Sequence, residues 1–111
     1  MKVEVLYFEG CPNHQPAVEA LVSVLDELGI ATRVESTRVR DQTEATAVAF
    51  IGSPSIRIDG VDVEPEDAPS VPRMACRVYR TSEGIAGVPD RATLAAALRR
   101  ARGDRNAEMG A

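Results

Sequence analysis

The stretch Leu6-Tyr7-Phe8-Glu9-Gly10-Cys11-Pro12-Asn13-His14 constrains the chain more than any other. Residues 2–8 are nearly all apolar, β-branched or aromatic, which suits a central strand covered on both faces. Gly10 breaks that strand, and an amphipathic pattern follows in which Val18, Leu21, Val22, Leu25 and Leu28 recur at helical spacing. Cys11 therefore stands where a strand turns into a helix. A cysteine in that place is exposed to the positive end of the helix dipole, which favours its thiolate. Pro12 suits the first turn, and Pro16 does too if Asn13 caps the helix, because no intrahelical N–H is lost there. Gly29 is the natural stop.

The rest of the chain reads as scaffold for that turn. Residues 30–39 form a second, β-branched strand. Asp41 and Glu44 make a capping box for a short helix with Ala45, Val48 and Ala49 inward, ending at Gly52. Ile56 and Ile58 alternate in a third strand, Asp59-Gly60 is a tight hairpin signal, and Val61-Asp62-Val63 pairs back. Residues 64–75 are a Pro- and acid-rich loop that delivers Cys76, then Arg77-Val78-Tyr79-Arg80, a candidate extra strand, and an open turn at residues 84–87. Asp90 caps a last helix with Leu94, Ala95, Leu98 and Ala101 inward and Arg99, Arg100 and Arg102 near its C-terminus; Gly103 ends it. The expected order is β-α-β-α-β-β-α: an α/β domain over residues 1–103 with a mixed four-stranded sheet flanked by helices on both faces, and a frayed tail at 104–111.

Bulk properties exclude several classes. The chain has 111 residues, enough for one modest core. Aromatics make up 4% and Trp is missing, so Val, Leu, Ile and Ala must build that core. A net charge of −4 argues against a nucleic-acid partner, which would want a basic face. Apolar runs fall far short of a membrane span, and the chain opens in a strand pattern without a leader, so the expectation is a cytoplasmic protein without membrane contact. In a reducing compartment the two cysteines, Cys11 and Cys76, are expected to be reactive or metal-binding before they are a structural disulfide. Nothing calls for a cofactor. A monomer is expected, or a weak homodimer through exposed sheet edges.

The element order, with a Cys at the first strand–helix junction and Ser-Pro leading into the third strand, resembles the thioredoxin fold over roughly residues 2–102. Phe8-Glu9-Gly10-Cys11-Pro12-Asn13-His14 stands in the place of that family's redox motif, and Gly52-Ser53-Pro54-Ser55-Ile56 in the place of its cis-proline loop. The resemblance implies a cis Pro54 lying against Cys11. One departure matters: the family's second cysteine falls at His14, and a C-x-x-H site cannot close a local disulfide. More narrowly, YFEGCPN, GSP, ACRVYRT and GIAGVP look like small bacterial thioredoxin-like proteins, some catalogued beside alkylmercury lyases, a hint toward soft metals.

The candidate site is then Cys11 as nucleophile, with His14 on the same helical face to steady its thiolate and Cys76 as a non-local resolving thiol if the acidic loop folds back. Ser53, Pro54, Pro12 and Tyr79 are candidate substrate contacts, Ser53-Pro54 as a wall whose backbone hydrogen-bonds an extended substrate. Three readings stay open: thiol–disulfide chemistry on a thiol or disulfide substrate, soft-metal or organomercurial binding through Cys11 and Cys76, and a non-catalytic interaction module.

Overall fold

The structure is a computed structural model and describes residues 1–103; the expected tail at 104–111 lies outside the described residues. Strand β1 (Val3–Tyr7) is central, as its apolar run requires, in a four-stranded sheet of order β2-β1-β3-β4. Strand β2 (Val34–Arg38) runs parallel to β1, β3 (Ser55–Ile58) antiparallel to β1, and β4 (Val61–Asp62) antiparallel to β3. Asp59 and Gly60 both take positive φ, 50° and 81°, in the tight turn between β3 and β4. Three helices complete the α/β fold: α1 (His14–Glu27), α2 (Gln42–Ala47) and α3 (Arg91–Arg102). None is long and apolar enough to cross a membrane.

Alternation along β1 divides the core. Val3 and Val5 join Ile56 and Ile58 of β3 in one cluster with Leu21 and Leu25 of α1 and Leu94 and Leu98 of α3. Leu6 belongs to a second cluster with Val39, Ala45 and Phe50, against which Phe8 and Met74 pack. Arg91 ties α3 to Ser23 and Glu27 of α1, and Arg102 donates to the Leu28 carbonyl at 2.9 Å.

Four local expectations need correction. Residues 84–87 are not an open turn: Gly84–Ala86 is a strand (β6) that pairs antiparallel with β5 (Tyr79–Thr81) as a separate hairpin, so the order gains two strands before α3. The Thr81 hydroxyl accepts from Glu83 N and donates to Gly84 O, closing the turn; three-residue strands are too short for periodicity to register. Strand β2 begins at Val34, because Ile30 and Thr32 are spent closing turns onto Leu25 O and Ile30 O. Helix α2 stops at Ala47, leaving Val48 and Ala49 exposed. There Ala49 takes φ 55°, Phe50 N donates to Ala45 O and Ala49 N to Thr46 O, a Schellman ending that buries Phe50 against Ala45. On α3 it is Ala97 that is buried, while Ala101 is exposed.

The loop after β4 is pinned by one buried cation. Arg77 is 6% exposed and donates from Nη1 and Nη2 to both Asp62 oxygens at 2.7 and 2.8 Å. It also reaches Asp67 at 3.2 Å and the Ser55 hydroxyl at 3.3 Å, and its guanidinium lies 4.5 Å from the Tyr79 ring centroid. Burial works most strongly against the Arg77 charge, but the hydrogen bonds to Asp62 and Asp67 and the attraction of Asp62 and Tyr79 together outweigh it and the pKa moves up. Removing the guanidinium leaves Asp62 buried without its cation. Arg77→Ala should therefore cost about 3–5 kcal/mol, read as a lower urea midpoint.

Glu64, in the same loop, is pushed up to about 7, first by desolvation and then by its hydrogen bond to Glu66. Its folded pKa lies above the unfolded value, so its contribution holds at low pH and is lost as pH rises through 7. Glu64→Gln should stabilise the fold relative to the parent at pH 8, by about 1 kcal/mol after discounting for solvent screening of this half-buried carboxyl, and leave it unchanged below pH 4.5, read as the shift in thermal midpoint at each pH.

Candidate functional site

At the C-terminal end of β1 the chain turns through Gly10 at φ +87°, and Cys11 N donates to Phe8 O at 3.2 Å. Phe8 N in turn donates to the Ser53 hydroxyl at 3.2 Å. Asn13 is the N-cap residue of α1, which puts Pro16 in the first turn as its ring requires. The Asn13 side chain makes no capping bond; it lies over Gly87, where an added Cβ would fall 2.1 Å from Nδ2. Gly87 thus lets the lead-in to α3 close over the start of α1. Cys11 is half-buried, Pro12 is exposed, and both cysteines are free thiols.

The His14 side chain is engaged by Tyr7 and Ser36. Its ring stacks on Tyr7 with centroids 3.6 Å apart and planes 3° from parallel, and Nε2 sits 3.0 Å from the Ser36 hydroxyl. Among the described residues its contact with Cys11 is through backbone alone, His14 N to Cys11 O at 3.4 Å. Desolvation by burial lowers the imidazole pKa below 6.5, so the ring is neutral at neutral pH.

The Ser53–Pro54 peptide is cis, as the thioredoxin resemblance implies, and leads into β3. Because β3 runs antiparallel to β1, its start lies beside the end of β1, at the same end of the sheet as Cys11. Ser53 and Pro54 are buried, not open as a wall to a ligand. The backbone of Ser53 is already partnered: its N–H donates to Ala75 O at 2.8 Å and its O accepts from Arg77 N at 2.9 Å. Tyr79, also buried, donates its hydroxyl to Pro54 O at 2.6 Å, and burial pushes that phenol's pKa up. Gly52, at φ +133°, permits the close approach, since a Cβ there would fall 2.9 Å from the Arg77 Cβ.

The acidic loop therefore folds back. Cys76 faces Ser53 across an isolated parallel bridge, about 4.8 Å away backbone to backbone. Bridge partners send their side chains to the same side, and successive residues alternate. Arg77 goes inward to Asp62, so Cys76, which is exposed, leaves on the side of the Ser53 hydroxyl and the Phe8 N–H. Hydrogen bonds thus run from Cys11 N through Phe8 to the Ser53 hydroxyl, and Ser53 is bonded in turn to Ala75 and Arg77, the two neighbours of Cys76, at one end of the sheet.

Residues that the sequence reading passed over complete the surroundings. Phe8, Glu9, Arg38, Val39, Arg40 and Met74 line a cleft of about 320 Å³ beside the Cys11 turn. Arg38 pairs with Glu9 at 3.2 Å, and Arg40 with Glu44 at 2.7 Å. Arg38 and Arg40 gave no signal, because surface arginines on a strand end and a loop are ordinary. Arg77 did carry one: an arginine flanked by Cys76, Val78 and Tyr79 downstream of an acid-rich loop is placed for a buried ion pair. Among the described residues no three His, Cys, Asp or Glu side chains group to hold a metal ion.

His14 is the one histidine in the chain, so a single imidazole resonance reports the helix start. It should titrate below 6.5, and Tyr7→Ala, which uncovers the ring, should move it back toward 6.5. A depressed folded pKa also means that stability falls as pH drops through 6.5, and that His14→Gln flattens this slope.

No protein-family model, curated protein or solved structure matches this chain, so the chemistry of the site has to be drawn from its own residues.

Proposed function

We propose that this is a thioredoxin-like thiol protein, with helices on both faces of the sheet, in which Cys11 attacks a disulfide and Cys76 resolves the product. The sheet order, the parallel β1–β2 pair, the two core clusters on either side of β1 and the cis Ser53–Pro54 peptide support the fold. The backbone bridge that sets Cys76 against Ser53 carries the function. A cysteine fastened to that end of the sheet supports the reading of Cys76 as the partner of Cys11, in place of the local one that C-x-x-H lacks.

The chemistry balances without a cofactor. The Cys11 thiolate attacks one sulfur of R–S–S–R′, forms Cys11–S–S–R and expels R′–S⁻, which takes a proton from water. The Cys76 thiolate then attacks the Cys11 sulfur, forms the Cys11–Cys76 disulfide and expels R–S⁻. The substrate disulfide gains the two electrons that the cysteine pair gives up. An external thiol reductant returns the pair to its free state. His14, with Nε2 at Ser36, shapes the first helical turn and takes no proton in this scheme.

A second reading uses the same pair. Two thiolates at one end of the sheet suit a two-coordinate soft ion such as Cu(I) or Hg(II), and zinc would want more ligands than this end supplies.

Mass spectrometry after brief exposure to hydroxyethyl disulfide tests the first reading. The parent protein should pass to an intramolecular Cys11–Cys76 disulfide, Cys76→Ser should halt at a mixed disulfide on Cys11, and Cys11→Ser should lose at least about tenfold in initial rate. If Cys11→Ser reacts as fast as the parent, Cys11 is not the nucleophile. If Cys76→Ser and the parent both halt at the mixed disulfide, Cys76 does not resolve it. Tight Cu(I) uptake that needs both cysteines, without disulfide turnover, would favour the metal reading.

A further inference from the structure

We infer that the disulfide accepted by Cys11 is a low-molecular-weight one bearing a carboxylate, seated in the cleft of Arg38 and Arg40, and not an extended polypeptide. This deepens the reading above and rests on Cys11 as nucleophile.

The first observation is that the strand edge at Ser53 is full. An extended peptide binds such an edge through backbone N–H and C=O groups. Here Ala75 O and Arg77 N already take both groups of Ser53. Admitting a peptide means expelling residues 75–77, which breaks both bonds and draws Arg77 from its buried bidentate pair with Asp62. The Tyr79 bond to Pro54 O holds the same segment from its far end. The chain is thus its own occupant of that edge.

The second observation is what remains open. The cleft of about 320 Å³ lies at the low end of the range for small-molecule sites, too small for a folded partner's strand and side chains. Phe8 and Met74, both half-buried, give it apolar walls suited to methylene groups. Phe8 carries the carbonyl that holds Cys11 N, so the Phe8 wall of the cleft adjoins the turn that bears Cys11.

Two guanidiniums line the same cleft with hydrogen-bonding capacity unspent. Arg38 meets Glu9 through Nη2, and Arg40 meets Glu44 through Nε. The other guanidinium nitrogens of both arginines hold no protein acceptor among the described residues. Glu9 is 77% exposed, and a pair so solvated is weak and readily exchanged for an incoming carboxylate. The planar N–H fork matches a carboxylate in two bonds, which a lysine would not. The cleft therefore selects R groups that combine a short apolar chain with a terminal carboxylate.

Three small disulfides of similar size test this: dithiodipropionate (anionic), hydroxyethyl disulfide (neutral) and cystamine (cationic). The second-order rate of Cys11 modification is measured by mass spectrometry at low ionic strength. Each rate is divided by that of a neutral model thiol with the same reagent, which removes intrinsic reactivity. The parent should favour dithiodipropionate over cystamine by about tenfold. Arg38→Ala and Arg40→Ala should each shrink the preference, and Arg38→Glu with Arg40→Glu should invert it. Both positions are exposed, and a thermal scan checks that the variants fold. Insulin, a disulfide-bonded polypeptide, should be reduced no faster than by the model thiol.

If Cys11 reacts with none of the disulfides, the thiol reading itself fails. If all three react equally, or if the arginine variants keep the parent's preference, the cleft does not select and only this inference falls. Efficient insulin reduction would overturn the exclusion of extended peptides.

Discussion

The buried pair of Arg77 and Asp62 is the interaction on which the rest depends. Taking a guanidinium and a carboxylate out of water is expensive, and the return comes only when geometry satisfies both. Here Asp62 accepts from both terminal nitrogens, Asp67 and Ser55 take further contacts, and Tyr79 offers its ring face. Asp62 sits on β4, so the pair fastens a long, Pro-rich loop directly to the sheet edge. That loop is also held by its bridge to the strand lead-in, by Arg73 N donating to Phe50 O at 2.8 Å and by Met74 packing on the second core cluster. Register along it follows from the ion pair: once Arg77 points inward, Cys76 must point the other way.

The same fastening links two halves of the site that are far apart in sequence. Tyr79, under the Arg77 guanidinium, donates to Pro54 O, while Ser53 bonds Ala75 and Arg77, on either side of Cys76, through its backbone and Phe8 through its hydroxyl. Phe8 then holds Cys11. Each bond in this series involves a buried or half-buried group, where an unmade hydrogen bond costs more than a made one gains. The series is therefore stiff, and the cysteine ends of it are held without any covalent link between them. Gly52 and Gly87 serve as its clearances: one lets Arg77 approach, the other lets Asn13 lie over the lead-in to α3.

Much of this was legible in the sequence, and the parts that were not have identifiable causes. The apolar run of β1, the Asp59-Gly60 turn and the Asp41 and Asp90 caps are local signals that appear in the structure where their residues place them, and α1 forms as its periodicity requires, but with Ala17 and Val24 buried beside Leu21 and Leu25 while Val22, expected inward, is exposed. Asp41 accepts from Glu44 N as a capping box requires, although Glu44 reaches back to Arg40 N, one residue earlier than the motif expects. What local signals miss is competition. Helix α2 ended early because burying Phe50 against Ala45 outweighed the strain of a positive φ at Ala49. The fold-back of the acidic loop turns on one arginine finding one aspartate across the loop, a non-local pairing that periodicity cannot register. Helical spacing puts His14 on the Cys11 face and carries no sign that its ring stacks on Tyr7, a contact between a helix start and a strand end.

The substitution of histidine for the local second cysteine then has a thermodynamic consequence under the proposed chemistry. A C-x-x-C disulfide closes a tiny loop and restrains the unfolded chain little. A Cys11–Cys76 disulfide spans most of the domain, a loop of about 65 residues, and in the chain-entropy account would stabilise the folded state by about 4 kcal/mol. Linkage makes that the same free energy by which the fold favours the oxidised pair over the reduced one. Such a pair takes oxidising equivalents readily and gives them up reluctantly. It is suited to reducing small disulfides at the expense of a strong thiol reductant, and poorly suited to installing disulfides in other proteins. The internal occupant of the Ser53 edge points the same way, since a protein that keeps its own strand in that place has no open edge for a polypeptide client.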